Sequence, residues 1–282
     1  MHDLIDLNKF RKNIYQNHGW REAPHYSEDG VILKIFKKIG ISSNPLAIEF
    51  GENRSLGTTT RAFRIFYLSR AIYFAAGLTL ESKVLNIIDV FKASLKEKKI
   101  GILKFFFNLP FDFFVTPDNI VELMKSFQVS EIDLLTIDID SYDYFIAKRI
   151  LENGYQPRVC ILEYNPSLPP LSELTIPYPA QHNKYPNKRI YGASFGAMNS
   201  LITEYGYKLV HISGFCNLFY VRSEYAQFFA EPIAMNEITK NTTEVMGFID
   251  KFCQKGFIPS WISEPELKDE DLNFFTDLSK QA

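Results

Sequence analysis

The stretch Glu131–Tyr144, EIDLLTIDIDSYDY, decides the fold of this chain. Its first part, Ile132–Ile137, is largely apolar, which predicts a strand at the centre of a parallel sheet that is covered on both faces. Asp138 and Asp140 follow at the carboxyl end of this strand, the edge where open α/β sheets bind their ligands. The stretch therefore predicts a ligand site directly after a central strand.

Three carboxylates crowd the turn after this strand, because Asp143 follows Asp138 and Asp140 before a helix over Tyr144–Leu151. Carboxylates this close repel one another unless helix N-terminal amides, a hydroxyl-bearing ligand or a cation interacts with their charge. A second interpretation is that Asp138 and Asp140 only cap the helix. The sequence leaves both interpretations open.

The composition is that of a folded protein, with 46% hydrophobic residues that include 25 Phe and 15 Tyr. The length of 282 residues predicts one large domain, alone or with appendages. A formal net charge of −2 gives no sign of a nucleic-acid partner. No apolar run approaches the roughly 20 residues that span a bilayer. The charged first residues lack the apolar core of a signal peptide, so we expect a cytoplasmic protein.

The three cysteines, Cys160, Cys216 and Cys253, are widely spaced, and no CxxC pair occurs. A zinc cluster or a disulfide framework is therefore not expected. Buried free thiols are the simpler interpretation.

Strands and helices are predicted to alternate along most of the chain. Five parallel strands are predicted at 46–51, 71–76, 100–107, 132–137 and 157–164, and an antiparallel hairpin at 206–212 and 217–222. This order predicts an α/β fold with a doubly wound, mainly parallel sheet and an antiparallel last strand. The sheet domain covers 46–224, between an N-terminal helical segment over 1–45 and a C-terminal helical extension over 225–282 that forms an outer layer or an oligomer contact.

The first predicted strand, Leu46–Gly51 (LAIEFG), leads into a polar loop and then a helix over Arg61–Ser69. A strand, a glycine-containing turn and a helix N-terminus together form an arrangement that holds nucleotide-like ligands. Gly51 and Gly57 let the backbone approach such a ligand, although they also fit a turn without one. The second strand ends in Ala76, where nucleotide-binding folds usually place an acid for the ribose hydroxyls.

Two later segments have recognisable local signals. Thr116 as an N-cap and Pro117 at the first helical position predict a helix over Ile120–Phe127. The phenylalanine-rich run Phe105–Phe114 either packs in the core or forms an aromatic wall for a ring-bearing ligand.

The fifth predicted strand also ends in polar residues, with Glu163 and Asn165 at the carboxyl edge. A long proline-rich loop, Pro166–Asn187, follows it. Loops of this length are usually functional or disordered, so this one is predicted to form a flap that faces a substrate.

The order of these elements resembles that of the class I S-adenosylmethionine-dependent methyltransferases, whose sheet has a reversed final strand. The wording of the sequence resembles more narrowly the FkbM-like group. The matching words are SEDG at 27–30, AIEFG at 47–51, TPDNI at 116–120, DLLTIDIDSYDY at 133–144, RVCILEYNPSLPP at 158–170, YGAS at 191–194, and GYKLV with NLFYVR within 206–222. The resemblance implies a Rossmann-like fold, S-adenosyl-L-methionine as cofactor and a role in polysaccharide biosynthesis.

The resemblance also implies a cofactor site around the loop after AIEFG. By position, the implied cofactor-binding residues are Glu49, Gly51, Glu52, Asn53, Gly57, Asp118, Asn119 and Asp138. The chain departs from the family pattern at the ribose position, Ala76, at Arg54 in the loop, and at Ser141, where the family has glycine. The cofactor is therefore held in another way, or its binding is weakened or lost.

The first functional hypothesis is an O-methyltransferase acting on a hydroxyl of a sugar or a small polar metabolite. Asp140 or Asp143 is the candidate general base, and Glu163 and Asn165 are candidates for orienting the acceptor. A divalent metal that bridges Asp138 or Asp140 and the acceptor oxygens is compatible with carboxylates this close, and so is helix capping.

Two hypotheses come from other classes of protein. A metal-dependent glycosyltransferase would use Asp138-Ile139-Asp140, an Asp-x-Asp after an apolar strand, to hold a metal and a sugar-nucleotide diphosphate. A catalytically inactive binding module with the same fold would account for Ala76, Arg54 and Ser141.

Overall fold

The computed structural model of the protein describes residues 28–51, 59–60, 63–64, 67, 69–75, 111–129, 131–179, 185–213, 216–229 and 266–281. Several predictions fall outside these residues: the strand over 100–107, the candidate cofactor residues Glu52, Asn53 and Gly57, and the departures at Arg54 and Ala76.

A mostly parallel sheet of seven strands forms the centre of the fold. The described strands are β1 (Leu46–Phe50), β2 (Arg70–Ala75), β3 (Phe111–Asp112), β4 (Leu134–Ile137), β5 (Val159–Glu163), β6 (Leu174–Thr175), β7 (Tyr207–Ser213), β8 (Asn217–Arg222) and β9 (Thr276–Asp277). The sheet has the order β3-β2-β1-β4-β5-β8-β7, and β6 pairs with β9 in a separate ribbon. β1 to β5 run parallel, whereas β8 runs antiparallel to both of its neighbours. The α/β class, the central place of β4 and the antiparallel last strand are thus confirmed.

Four α-helices are described: α1 (Glu28–Ile39), α2 (Ile120–Ser126), α3 (Asp143–Glu152) and α4 (Phe195–Glu204). Among the residues that the structure describes, no helix has the length and apolar character needed to cross a membrane.

Apolar side chains alternate between two cores, one on each face of the sheet. Along β1, Ile48 and Phe50 pack into the core that also contains buried residues of α2, α3 and α4. Ala47, between them, belongs to the opposite core, with Ile32 and Phe36 of α1. The sheet is therefore covered on both faces, as the apolar run in β4 predicts. We call the side packed against α1 the α1 face.

Local signals around α2 differ from the prediction. The helix begins at Ile120 as expected, but Thr116 does not cap it. Instead, Thr116 donates its backbone N–H to Oδ1 of Asn119 at 2.8 Å, and Asn119 Nδ2 donates to the carbonyl of Phe114 at 2.9 Å. Pro117 thus lies in a turn before the helix rather than in its first turn, and Asn119 holds that turn closed.

The segment 266–281 pairs with the loop after β5. Leu174 and Thr175 in β6 are aligned with Asp277 and Thr276 in β9, and Leu278 N donates to Glu173 O at 2.9 Å. Here the chain forms short 3-10 turns and a two-residue strand in place of α-helix. The sequence does not predict this pairing, because it joins two-residue strands about a hundred residues apart in the chain.

Candidate functional site

The strand register brings polar residues to one level at the carboxyl edge of the sheet. Phe50 of β1 is paired with Ile137 of β4, and Ile137 with Leu162 of β5. The residues that follow these positions, Gly51, Asp138 and Glu163, therefore lie side by side. Because the chain order of the strands reverses direction between β1 and β4, this edge is the crevice where open α/β sheets bind ligands.

Gly51 is required by the contact between β1 and β4. Its φ of +125° is accessible to glycine and rarely to other residues. A Cβ at this position would lie 1.4 Å from the carbonyl oxygen of Asp138. The close approach predicted for Gly51 is thus made to the backbone of the neighbouring strand end, whatever ligand binds beside it.

A carboxylate cluster, formed by Asp138, Asp140 and Glu163, lies at this edge. One oxygen from each residue lies within 4.8 Å of the other two. Glu163 is buried, Asp138 is half-buried and Asp140 is exposed, so the cluster reaches from the interior to the surface. Asp140 adopts a left-handed backbone conformation with φ +53°, which turns the chain between β4 and α3. The structure thus brings together two predicted strand-end acids and the acid of the neighbouring strand.

Burial and mutual repulsion dominate the electrostatics of the cluster. Burial first, and then the neighbouring Asp140, raises the pKa of Asp138 well above its ordinary value. Burial and the neighbouring Asp138 raise the pKa of Glu163 in the same way. Within the described residues, no lysine or arginine forms an ion pair with any member of the cluster. Without a cation, this environment therefore disfavours full ionisation of the cluster.

Asp143 shapes the turn beside the cluster. It is the first residue of α3, and its carboxylate accepts hydrogen bonds from the backbone N–H groups of Ile139 and Ser141, both at 2.9 Å. Burial raises the pKa of Asp143 to about 6, against the lowering effect of these two bonds. Ser141, at the departure from the family glycine, contributes its N–H to this turn.

The raised pKa of Asp143 predicts a pH-dependent loss of stability. Between pH 3.8 and about 6 the folded protein keeps the Asp143 proton that the unfolded chain releases, so the free energy of unfolding falls as pH rises through this window. An Asp143→Asn variant lacks this contribution to the pH dependence of the unfolding free energy. We expect urea denaturation in the presence of a chelator to show wild type losing stability relative to the variant from about pH 4 to about pH 7. The other carboxylates titrate in both proteins. If the difference in unfolding free energy between wild type and variant is the same at about pH 4 and about pH 7, the raised pKa of Asp143 is contradicted.

The α1 face becomes polar towards the carboxyl edge. Its side chains there come from Glu49 of β1, Thr136 of β4, Glu163 of β5 and Asn217 of β8, and Asn217 is directly paired with Glu163. Three buried oxygens in this group, Thr136 Oγ1, Glu163 Oε2 and Asn217 Oδ1, have no hydrogen-bond partner among the described residues. Buried polar atoms are normally paired, so these three oxygens mark a candidate place for a ligand or ion.

Two glutamates organise the surroundings of this polar region. Glu49 accepts hydrogen bonds from the backbone N–H groups of Thr59 and Thr60, at 2.8 and 3.0 Å, and from the Thr60 hydroxyl. Glu28, in the first turn of α1, accepts from Asn217 Nδ2 at 2.6 Å and from the Thr59 hydroxyl at 3.2 Å. Glu49, a candidate cofactor residue, thus fixes the end of the loop that follows β1.

Tyr191 and Cys216 also face the cluster. Burial first, and then the nearby Glu163, raises the pKa of both groups well above their ordinary values. Both side chains therefore stay protonated at neutral pH and offer hydrogen-bond donors beside the carboxylates.

The remaining predicted site residues lie in the loops around the edge. Asn165 is fully buried and donates its side-chain amide to the carbonyls of Arg189 and Tyr191, at 2.7 and 2.9 Å, while its Oδ1 accepts from Ser167 N. It therefore ties the start of the proline-rich loop to the segment before α4. Asp118 is exposed and accepts a hydrogen bond from the Tyr178 hydroxyl.

The loop predicted as a flap packs against the start of α3. The Tyr178 ring lies 5.0 Å from that of Tyr142 and 5.7 Å from that of Phe145, centroid to centroid. Tyr142 and Phe145 flank Asp143 in sequence, so the loop covers the start of α3. His182, which is part of the same loop, lies outside the described residues.

Sequence reasoning missed Glu28, Tyr191, Cys216 and Asn217 as site residues. Three of them lie in words that the FkbM-like resemblance contains, SEDG, YGAS and NLFYVR. The sequence did show polar residues within these motifs. Their roles, however, depend on tertiary contacts such as the hydrogen bond between Glu28 and Asn217, which are 189 positions apart.

The carboxyl edge of β1, β4 and β5 is therefore the candidate functional site. The chain matches no model of a known protein family and no curated protein.

Proposed function

We propose that the protein is an S-adenosylmethionine-dependent O-methyltransferase acting on a hydroxyl of a sugar or a small polar metabolite. The observation that supports this most is the carboxylate cluster at the reversal point between β1 and β4, beside Gly51. The strand order β3-β2-β1-β4-β5 is that of nucleotide-binding Rossmann-type sheets, whose ligands bind at this point. The reversed β8 agrees with the class I methyltransferase resemblance.

The described residues fit a cofactor of this kind. S-adenosylmethionine has a positively charged sulfonium and ammonium group, and the cluster offers negative charge without a competing ion pair from the described residues. Glu49 fixes Thr59 and Thr60, and through them the end of the loop implied to bind the cofactor. When bound, the cofactor supplies an electrophilic methyl group on its sulfonium.

Asp140 is the better candidate for the general base. Its carboxylate is exposed at the edge, where an acceptor hydroxyl can reach it. Both oxygens of Asp143 are occupied by backbone N–H groups of the turn, so Asp143 acts as a positioning residue. Asn165 also positions, because its amide holds the loop that bears Tyr191. Glu163, Tyr191 and Cys216 then surround the acceptor oxygen from the interior side.

Aromatic rings at the start of α3 favour a saccharide acceptor. An aromatic group at the start of α3 consists of Tyr142, Phe145 and Tyr178. Asp118 accepts a hydrogen bond from the Tyr178 hydroxyl. Aromatic faces pack against the apolar faces of sugar rings, while nearby carboxylates accept bonds from sugar hydroxyls. We assign this aromatic group to acceptor binding.

Calorimetric titration with S-adenosylhomocysteine tests the proposal. We expect saturable binding by wild type and roughly tenfold weaker binding by Glu49→Gln. The two carboxylate oxygens of Glu49 accept from Thr59 N and Thr60 N, whereas an amide has one acceptor oxygen and loses one of these bonds. Glu122→Gln, an exposed change on α2, is the matched control and should bind like wild type. A well-folded wild type that shows no binding at millimolar ligand would contradict the methyltransferase proposal and favour an inactive binding module.

A metal-dependent glycosyltransferase is the second candidate. The convergence of Asp138 and Asp140 of the Asp-x-Asp triplet on one point with Glu163 favours it. Titration with a uridine diphosphate sugar in the presence of Mn²⁺ distinguishes it from methyl transfer. Binding of the sugar nucleotide, with no binding of S-adenosylhomocysteine, would replace the first proposal by this one.

A further inference from the structure

We infer that the carboxylate cluster is a binding site for one hard divalent cation, with Asp138, Asp140 and Glu163 as protein ligands and the Asn217 side-chain oxygen beside them. The inference concerns the metal alone and stands whether or not methyl transfer is the reaction. The sequence alone suggested a metal at Asp138 or Asp140, and the structure adds Glu163, a buried third carboxylate from the neighbouring strand.

The geometry of the cluster meets the first requirement of such a site. Three carboxylate oxygens lie within 4.8 Å of one another. Opposite oxygens around a cation are about 4.2 Å apart for Mg²⁺ and about 4.8 Å apart for Ca²⁺. Separations within this limit are compatible with three oxygens that share one cation. An all-oxygen set selects hard cations over zinc or copper.

Unpaired buried oxygens give an independent reason for a cation. Glu163 is 5% exposed, yet its Oε2 has no hydrogen-bond partner among the described residues. Asn217 is 6% exposed and pairs directly with Glu163 across β5 and β8, which places both side chains on the α1 face. Its Oδ1 is also unpartnered among those residues. Its Nδ2 donates to Glu28, and this bond fixes the orientation of the amide. A carboxylate and an amide oxygen left open side by side are ligands of the type that hard cations take.

A paired carboxylate elsewhere in the same sheet shows the contrast. Asp133, at the opposite edge, is equally buried but accepts hydrogen bonds from Ser42, Leu46 and Arg158. The fold therefore satisfies a buried acid fully where the acid is only structural. In the carboxylate cluster, by contrast, Glu163 Oε2 has no hydrogen-bond partner and no lysine or arginine pairs with the acids, within the described residues. A cation would supply the missing positive charge.

The access of the cluster fits a site that also receives a substrate oxygen. Glu163 anchors the interior side, whereas Asp140 lies on the exposed side. Three carboxylates and one amide leave coordination positions of a six-coordinate or larger shell open for water or an acceptor hydroxyl.

Metal titration of the full chain tests the inference. The protein is stripped with a chelator and titrated with MnCl₂, with the free ion followed by electron paramagnetic resonance, and then with MgCl₂ and CaCl₂ by calorimetry. We expect one saturable site in wild type, and affinity lowered roughly 100-fold or more in Glu163→Gln and Asp140→Asn, since even outer-shell changes cost about 10- to 100-fold. Glu122→Gln, an exposed change outside the cluster, should bind like wild type.

Thermal unfolding gives a second readout. The direction in which the melting temperature of Glu163→Gln changes shows whether Glu163 is a metal ligand or a structural residue. Without metal, Glu163→Gln should melt at or above the wild-type temperature, because the neutral amide removes repulsion from Asp138. Saturating Mn²⁺ should raise the wild-type midpoint by about 5 °C or more and leave that of the variant unchanged.

Two results would overturn the inference. One is the absence of saturable binding of all three ions up to about 10 mM, beyond the weakest protein calcium sites. The other is equal Mn²⁺ binding by wild type and Glu163→Gln. Because S-adenosylhomocysteine is titrated separately, with and without chelator, failure of the metal site and failure of the proposed methyl transfer remain distinguishable.

Discussion

Gly51→Ala is expected to prevent stable folding. The added Cβ would lie 1.4 Å from the Asp138 carbonyl oxygen, a separation shorter than any non-bonded contact. The residue also has φ +125°, which L side chains rarely adopt. The backbone cannot move aside easily, because Gly51 N donates to Phe74 O and Asp138 N donates to Phe50 O, both at 3.0 Å. We expect the free energy of unfolding to fall by about 4 kcal/mol or more, at the extreme of single substitutions.

Gly154→Ala is the matched control for Gly51. Gly154 also has positive φ, at +81°, but an added Cβ there meets no heavy atom within 4 Å. Only the conformational strain of the left-handed region remains, about 1–2 kcal/mol. Urea denaturation of both variants measures the difference, and equal losses would contradict the proposed contact between β1 and β4. Because the fold fails first, substitutions at Gly51 cannot report on cofactor binding.

Asp133→Ala is expected to cost about 3–5 kcal/mol of unfolding free energy, the range for breaking a buried ion pair. The Asp133 carboxylate is fully buried and lies 2.8 Å from Arg158 Nη1. It also accepts from Ser42 N, Ser42 Oγ and Leu46 N. The variant leaves the guanidinium of Arg158 buried, with Ile39 O and Tyr225 OH as its remaining acceptors among the described residues. The contacts between α1, β1, β4 and β5 at this edge weaken together.

Glu131→Ala is the matched control, since Glu131 is exposed two residues earlier in the chain. Its change in unfolding free energy should stay within about 0.5 kcal/mol. A double variant, Asp133→Ala with Arg158→Met, removes both charges and should lose less than the two single variants combined. Strict additivity, or an Asp133→Ala loss as small as that of Glu131→Ala, would contradict the assignment of a stabilising ion pair.

Local sequence patterns were sufficient for the centre of the fold. The apolar run in β4 is followed at once by acids, and a strand of this kind is recognisable without knowledge of its neighbours. The same holds for β1 with its glycine and for β5 with Glu163. Asp138, Asp140 and Glu163 were therefore predictable as strand-end residues, although only the register of β4 and β5 brings them together.

Long-range contacts explain what the sequence did not predict. Glu28 was not predicted as a site residue, but its carboxylate accepts a hydrogen bond from Asn217 of β8, 189 positions away. Asn165 was expected to orient an acceptor, while the described contacts of its amide go to backbone carbonyls. β3 has only two paired residues, Phe111 and Asp112, and lies in a phenylalanine-rich run. Two residues are too few to show the alternation of apolar and polar side chains that identifies a strand. Such features depend on partners that are distant in sequence and leave no local period.

One measurement tests the central claim most directly, namely that the carboxyl edge of β1, β4 and β5 is the functional centre. It is a crystal structure of the protein with MnCl₂ and S-adenosylhomocysteine, with anomalous data for the metal. We predict an anomalous peak about 2.0–2.6 Å from oxygens of Asp138, Asp140 and Glu163, and the cofactor along the edge beside Gly51. A metal bound elsewhere or nowhere, with this edge empty at saturating cofactor, would contradict the account.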